Sequence, residues 1–371
     1  MAPLAGARAA AKRAATDPSR PPVRAALVGA GAVAREHLAC LADIDGAEVV
    51  AVCDLSPAVA ESVASRFGVP RHYTDHASML GELAPDVVHV TTPPGAHFGV
   101  ALDALAAGAH AIVEKPIVAD GAQLEPLLDE AERRGRVVIE NYNYVFNPQV
   151  RAIRRLLGTG ELGTIQHVDV DLSLDILSDG SPFADRNRPH PALALPGGAI
   201  ADFLPHLASL VYFLAGPHRA VESVWSKRRA ESALEADDLR ALVDAERASA
   251  SISFSASTQP DGFWLRVHGS RMRVEANLFE PRMTVERVWP APAPLFPILN
   301  AFGEIAALGR SAAGGLLGKL GGAPGAYSGL WELIGRVYGA VASGGPPPVS
   351  AADVRGVNRL VGDLVAGQQR P

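Results

Sequence analysis

A lysine stands where a buried strand should end. In "HAIVEKPIVAD", His110 to Asp120, the apolar run of Ala111, Ile112 and Val113 stops at Glu114, Lys115 and Pro116. Proline removes a backbone donor, and a buried strand has no use for a charged pair at its end. An amine held there can polarise a hydroxyl or a carbonyl; it can equally be a surface lysine that caps the strand. Farther along, "PGGAIADFLPHLASL" sets Asp202 and His206 four residues apart. Histidine is suited to accept a proton when an alcohol loses hydride, and aspartate can orient it or bind the substrate. Pro205 suits a first helical turn, so a helix is expected to begin near it. The other reading makes Asp202 a helix cap and His206 an ordinary helix histidine.

A second set of residues points to a nucleotide. "VGAGAVA" is a G-x-G-x-x-A pattern at Gly29, Gly31 and Ala34, with Ala32 and Val33 between them. It follows an apolar strand, opens a helix, and precedes Asp54 at the tip of the next strand by 20 residues counted from Ala34. Gly29 would permit the tight turn, Gly31 the approach of a pyrophosphate and Ala34 close helix packing. The helix N-terminus would supply amide donors. Asp54 can accept from ribose hydroxyls and would repel a 2′-phosphate. Leu55, Ser56 and Pro57 bring no arginine, so NAD is expected rather than NADP. A structural turn with an incidental aspartate is the alternative.

These residues need a frame, and the pattern of the chain supplies one. From Val23, short apolar runs ("VRAALVGAG", "AEVVAVCD", "DVVHVTT", "HAIVEKP", "RVVIENYN") alternate with helical patterns. That alternation predicts an α/β Rossmann domain, a doubly wound parallel sheet covered on both faces. After Asn147-Pro148 the pattern changes to two-residue alternation, as in "TIQHVDVDLSLDI", "RASASISFSAS" and "FWLRVHGS". An α+β domain with a large open antiparallel sheet is expected there. The division reads as a disordered tail at 1–22, a dinucleotide-binding domain at 23–147, a substrate and oligomerisation domain at 148–349, and a C-terminal helix at 350–371.

Composition narrows the function classes. A chain of 371 residues with 48% hydrophobic and 20% charged residues is globular and long enough for two domains. A net charge of −6 offers no footprint for nucleic acid. The two cysteines, Cys40 and Cys53, sit in apolar surroundings. They read as buried thiols in a reducing compartment, not as a disulfide or metal site. No apolar run approaches the length of a membrane span, and the first 22 residues lack a signal-peptide core. A cytoplasmic protein is expected.

Taken together, the ordered motifs resemble the Gfo/Idh/MocA oxidoreductases, of the glucose–fructose oxidoreductase and inositol dehydrogenase type. They are "VGAGAVA", "TPPGAH" at Thr92 to His97, "EKP" at Glu114 to Pro116, "NYVFNP" at Asn143 to Pro148, "GGAIADFLPH", and "VHGS" around Gly269. The resemblance implies Lys115, Asp202 and His206 as the catalytic set, with His206 as general acid/base. It implies Thr92, Pro93, His97, Glu114 and Lys115 along the cofactor. Pro116 would often be cis. The chain departs from the family at Leu204, where glycine is common, and at Pro205. The segment Leu295 to Gly322 matches no recognised element, and a helical insertion at an oligomer contact or a lid is expected there.

An NAD(P)-dependent dehydrogenase or reductase of sugars, sugar derivatives or cyclic polyols is the leading expectation. NAD-dependent glycoside cleavage through transient oxidation and a non-catalytic NAD-binding regulator are the alternatives. Tyr144 and Asn147 at the domain junction, and Arg186, Arg188 and His190 before the Asp–His element, are candidate substrate contacts. The strand "SISFSAS" alternates Ile252 and Phe254 with serines, so one sheet face is free to meet a partner. Because relatives pair through that sheet, a homodimer or homotetramer is expected.

Overall fold

The computed structural model describes residues 21–369 apart from 179, 186–188, 233, 281 and 321–326. Most of the expected tail lies outside the described residues, as do Arg186 and Arg188. Two compact units emerge. One holds the described residues up to Asn143 together with Leu330–Arg355; the other holds Tyr144–Gly329 and the residues from Gly356 onward.

In the first unit, β1 (Val23–Val28), β2 (Ala47–Cys53), β3 (His72–Tyr73), β4 (Val87–Val90), β5 (His110–Val113) and β6 (Val138–Glu140) form one sheet in the order β3-β2-β1-β4-β5-β6. Every pairing is parallel. Between the strands run α1 (Ala32–Ala42), α2 (Pro57–Phe67), α3 (His76–Leu83), α4 (Pro94–Ala106) and α5 (Leu124–Arg133). All four residues of β4 are buried, as a strand covered on both faces requires. The strand order reverses between β1 and β4, and the carboxyl edge at such a switch point is where doubly wound sheets bind ligands.

In the second unit, α6 (Pro148–Gly158) leads into a seven-stranded sheet. Its strands are β7 (Ile165–Ser173), β8 (His218–Ser226), β9 (Asp238–Ala245), β10 (Ser249–Ser255), β11 (Gly262–Gly269), β12 (Met272–Asn277) and β13 (Arg282–Arg287), ordered β13-β12-β11-β7-β10-β9-β8. The pairings are antiparallel except at the centre, where β7 and β10 run parallel. The sequence anticipated an antiparallel sheet; the parallel pair arises because α7 (Gly198–Ala215), β8 and β9 intervene between β7 and β10. Ile252 and Phe254 point into the core, where Phe203 of α7 stacks on Phe254 at 5.1 Å. Among the described residues α7 alone is long and apolar enough to cross a membrane, and 67% of it is buried inside the protein.

The segment after Leu295 is a helix, α8 (Phe296–Leu320), lying along the edge strand β13. Asn300 binds that edge as a strand would: its Oδ1 accepts from the Arg287 N–H at 3.0 Å and its Nδ2 donates to the Arg287 carbonyl at 3.1 Å. A sheet edge covered by a helix is a poor template for stray pairing.

α9 (Ser328–Ser343) lies mostly within Leu330–Arg355, which group with the first unit, whereas the sequence reading set 148–349 together as one domain. Its buried Leu333, Ile334 and Val337 supply the apolar face, and Trp331 donates from Nε1 to Asp43 at 3.0 Å. α10 (Ala351–Ala366) follows Ser350, whose hydroxyl accepts from the Asp353 N–H while Asp353 accepts from the Ser350 N–H. That reciprocal pair is a capping box.

Candidate active site

The glycine turn is built into the sheet. Gly29 sits at φ +92°, and a Cβ there would lie 2.6 Å from the Thr91 carbonyl carbon and oxygen and 2.7 Å from the Thr92 nitrogen. Only glycine fits, because backbone hems it in. Gly31 differs: a Cβ there would meet nothing within 4 Å. α1 begins immediately after Gly31 with no side-chain cap and no acid in its first turn. Its free amides and the open space beside Gly31 suit a pyrophosphate. Ala32 and Val33 open the helix, and Ala34 is fully buried, as close packing on the sheet demands.

Asp54 holds the turn. Its carboxylate accepts from the Ala30 N–H at 2.8 Å and from the Ser56 N–H at 2.9 Å. A carboxylate has about four acceptor positions, so two remain for ribose hydroxyls. Thr91 donates from Oγ1 to the Gly29 carbonyl at 2.6 Å and ties β4 to the turn. Beside it, the hydroxyl of Thr92 is buried without a hydrogen-bond partner among the described residues. These residues fit an NAD molecule: an open cradle, bare helix amides, a carboxylate and an unsatisfied hydroxyl along one sheet edge.

The Glu114-Lys115-Pro116 turn leaves β5 at that same carboxyl edge, and the Lys115–Pro116 bond is cis. Lys115 is half-buried. His97, buried in α4, braces the turn: its Nδ1 lies 2.7 Å from the Pro116 carbonyl and its Nε2 lies 2.8 Å from the Thr92 carbonyl. Burial pushes its pKa down against those carbonyls, which favour a second proton. Its two nitrogens are thus committed to backbone, joining the cofactor loop to the lysine turn. Pro93 precedes α4 and ends the strand-to-helix loop. Glu114 is buried and accepts on Oε1 from His37 Nε2 at 2.9 Å and from the Asn141 amide. Burial alone would push the carboxyl up, but the hydrogen bond and charge of His37, the Asn141 donor and the charge of Lys115 bring it down to about 2.

In the second unit, α7 corrects the expected helix start. It begins at Gly198, after Gly197 in the left-handed region, and Pro205 lies inside it. The proline denies the Ala201 carbonyl its usual donor, a cost of about 3 kcal/mol or more in an ordinary helix. Running the helix through Asp202 and His206 places them at i and i+4, on one face. Asp202 is buried and His206 half-buried. The ring of Tyr144 meets His206 edge-on at 4.9 Å and Phe263 at 4.7 Å. Burial, with Tyr327 adding, pushes the Tyr144 phenol up, so it stays protonated.

The other substrate candidates divide. Asn147 is buried and used by the fold: Oδ1 accepts from the Gln149 N–H at 3.1 Å and Nδ2 donates to the Leu278 carbonyl at 3.3 Å. It caps α6, so both of its polar atoms serve the fold. His190 packs on Phe183 at 4.2 Å and, with Ser181 and Asp185, lines a cavity of about 720 Å³. Sequence reading missed His37, Thr91 and Asn141. Of these, Thr91 and Asn141 directly follow sheet strands, a position that could have singled them out; His37 carries no such local signal.

Cys40 and Cys53 are free and buried. Burial pushes both thiols up, with Cys53 at about 11, so neither is a nucleophile at neutral pH.

Comparison with known proteins agrees with this geometry. Residues 23–142 match the oxidoreductase family with an NAD-binding Rossmann fold, and residues 150–275 match the GFO/IDH/MocA C-terminal domain. The chain is 29% identical over 222 residues to D-apiose dehydrogenase of Paraburkholderia graminis, covering 59% of this chain and 56% of that one. It is 31% identical over 221 residues to inositol 2-dehydrogenase of Acidothermus cellulolyticus, covering 58% and 60%. The matched segment thus spans little more than half the length of these relatives. An oxidoreductase from Agrobacterium radiobacter, solved with NAD+, L-tartaric acid and magnesium, superposes with a TM-score of 0.75 over 93% of this chain and 96% of that one, at 17% identity. The two matched regions, in order and with the glycine turn, the E-K-P turn and the Asp–His helix in place, make this chain a member of the Gfo/Idh/MocA oxidoreductase family, with an NAD-binding Rossmann fold.

Proposed function

We propose that this chain is an NAD-dependent dehydrogenase or reductase acting at a carbinol carbon of a sugar, sugar derivative or cyclic polyol, with Lys115, Asp202 and His206 as its catalytic groups. One observation carries the reading. Gly29, Asp54, Thr92 and Lys115 follow β1, β2, β4 and β5 along a single sheet edge, in a chain that also aligns a carboxylate and an imidazole on one helix face. Bound NAD supplies the hydride acceptor. Lys115 polarises the substrate oxygen, His206 takes the hydroxyl proton, and Asp202 orients the imidazole or binds the substrate. D-apiose is a sugar and inositol a cyclic polyol, so the names of those relatives support the substrate class. Purified protein with NAD, screened against sugars, sugar nucleotides and polyols for NADH formation, should turn over at least one. Cleavage of a glycoside with no net change in NAD would instead assign the glycoside-cleaving reaction.

Asp54 with Leu55, Ser56 and Pro57 beside it favours NAD(H) over NADP(H). Leu55 is 92% exposed and offers an apolar face for the adenine ring. Titration calorimetry should show tighter binding of NAD, and Asp54→Ala should weaken NAD and narrow the gap. An equal or reversed preference in the unaltered protein contradicts this reading.

The open face of the seven-stranded sheet is proposed to pair two copies, giving a homodimer or a dimer of dimers. It carries His167, Asp169, Ser251 and His268 in one hydrogen-bonded group, with exposed Val224 and Leu242 nearer the β8 edge. Light scattering at micromolar concentration is expected to give at least twice 38.7 kDa, and a mass near 38.7 kDa rejects the pairing. The buried thiols suit a reducing cytoplasm.

A further inference from the structure

We propose that His37, His89 and Tyr338 form a positioning chain that fixes Glu114, and with it the Lys115 turn, at the cofactor edge. What the turn does rests on the dehydrogenase reading above; the chain itself rests on geometry. Four side chains line up, from α1, β4, the turn that follows β5, and α9. Tyr338 Oη lies 2.9 Å from His89 Nε2, His89 Nδ1 lies 2.8 Å from His37 Nδ1, and His37 Nε2 lies 2.9 Å from Glu114 Oε1. Tyr338 is 1% exposed, the two histidines 0% and Glu114 8%.

The chemistry of the contacts assigns the protons. Glu114 as a carboxylate only accepts, so His37 carries its proton on Nε2. The proposed chain has His37 carrying that proton alone, so that its Nδ1 is bare and His89 fills it by donating from its own Nδ1. That leaves His89 Nε2 as an acceptor, filled by the Tyr338 hydroxyl. With neutral rings this one arrangement satisfies all three contacts, and every donor points toward Glu114. Burial holds His89 well below the usual histidine range, in keeping with a neutral ring.

Burying three polar side chains costs desolvation, and apolar residues of similar size would pack the same core without that cost. What the chain supplies is a fixed carboxylate. His37 and Asn141 both engage Oε1, so the carboxyl group cannot rotate without breaking two donors. Among the described residues Oε2 is left with one long contact, the Lys115 N–H at 3.3 Å. A carboxylate fixed this way sets the backbone from which Lys115 projects. His37, His89 and Tyr338 touch no reacting atom; they act through Glu114.

Two measurements test the chain. In protein labelled with 15N-histidine, without cofactor or substrate, NMR should show His89 protonated on Nδ1 only and His37 on Nε2 only. A doubly protonated His37, or a His89 protonated on Nε2, reverses the donors and overturns the proposal. In kinetics, His37→Leu should lower kcat about tenfold with little change in the KM for substrate, and should cost nothing further in a Glu114→Gln background. His37→Gln, which keeps a donor for Glu114 and an acceptor for His89, should recover most of the rate. Equal losses from His37→Leu in both backgrounds would mean a merely structural role and refute the chain. If no nucleotide is turned over by the unaltered protein, the dehydrogenase reading has failed, and the NMR result alone decides the chain.

Discussion

Replacing His206 with alanine is expected to lower turnover about 10²-fold or more, the range for loss of a positioned acid/base group. NAD affinity should stay nearly unchanged, since His206 and the glycine turn belong to different compact units. The loss should fall on kcat, and the pH profile should lose the limb that reports the base. Tyr144 packs against the imidazole, but its phenol is pushed up by burial and cannot take over as an ionised base. Lys115→Ala should have a comparable effect through the substrate oxygen. Steady-state kinetics with calorimetry for NAD separates these losses from weakened binding. Near-normal turnover in His206→Ala would assign the proton to another group.

The second large effect is expected at Gly29. Gly29→Ala places a methyl 2.6 Å from the Thr91 carbonyl and 2.7 Å from the Thr92 nitrogen, at a φ of +92°. The conformation costs about 1–2 kcal/mol for a residue with a side chain, and overpacking against backbone adds ~1–3 kcal/mol. The Gly29 N–H also donates to the Cys53 carbonyl at 2.8 Å, so the turn cannot shift without loosening β2. Melting temperature should fall by several degrees, and NAD binding should be lost. Gly31→Ala is the contrast. Its methyl meets nothing within 4 Å, so stability should hold while NAD affinity falls, because the open space is where the pyrophosphate approaches. A Gly31→Ala variant that binds NAD normally would place the phosphates elsewhere.

The parts legible in the sequence were those with a local signal. A buried parallel strand, a tight turn and a helix start are adjacent in the chain, so Gly29, Asp54 and Lys115 could be placed at strand ends from periodicity alone. Pro205 misled because proline is most at home in a first helical turn. Here Gly197 and Gly198 start the helix, and packing of α7 on the sheet outweighs the lost bond. β9, residues Asp238–Ala245, alternates exposed and buried residues, whereas β8 breaks the pattern with exposed residues at Arg219 and Ala220. The grouping of α9 with the first unit has no local signal, because its partners lie far back in the chain: Asp43 for Trp331 and His89 for Tyr338. The buried chain behind Glu114 was invisible for the same reason. Each of its histidines alone looks like any helix or strand histidine.

The central claim is hydride transfer from a sugar or polyol carbon to NAD with His206 taking the proton. It is tested most directly with the substrate found by screening, prepared with deuterium on its carbinol carbons and mixed with NAD and a stoichiometric amount of enzyme. Mass spectrometry of the nucleotide should show NADH carrying one deuterium, formed at least 100-fold more slowly by His206→Ala. NADH without the label, or labelled NADH formed equally fast by the variant, would contradict the account.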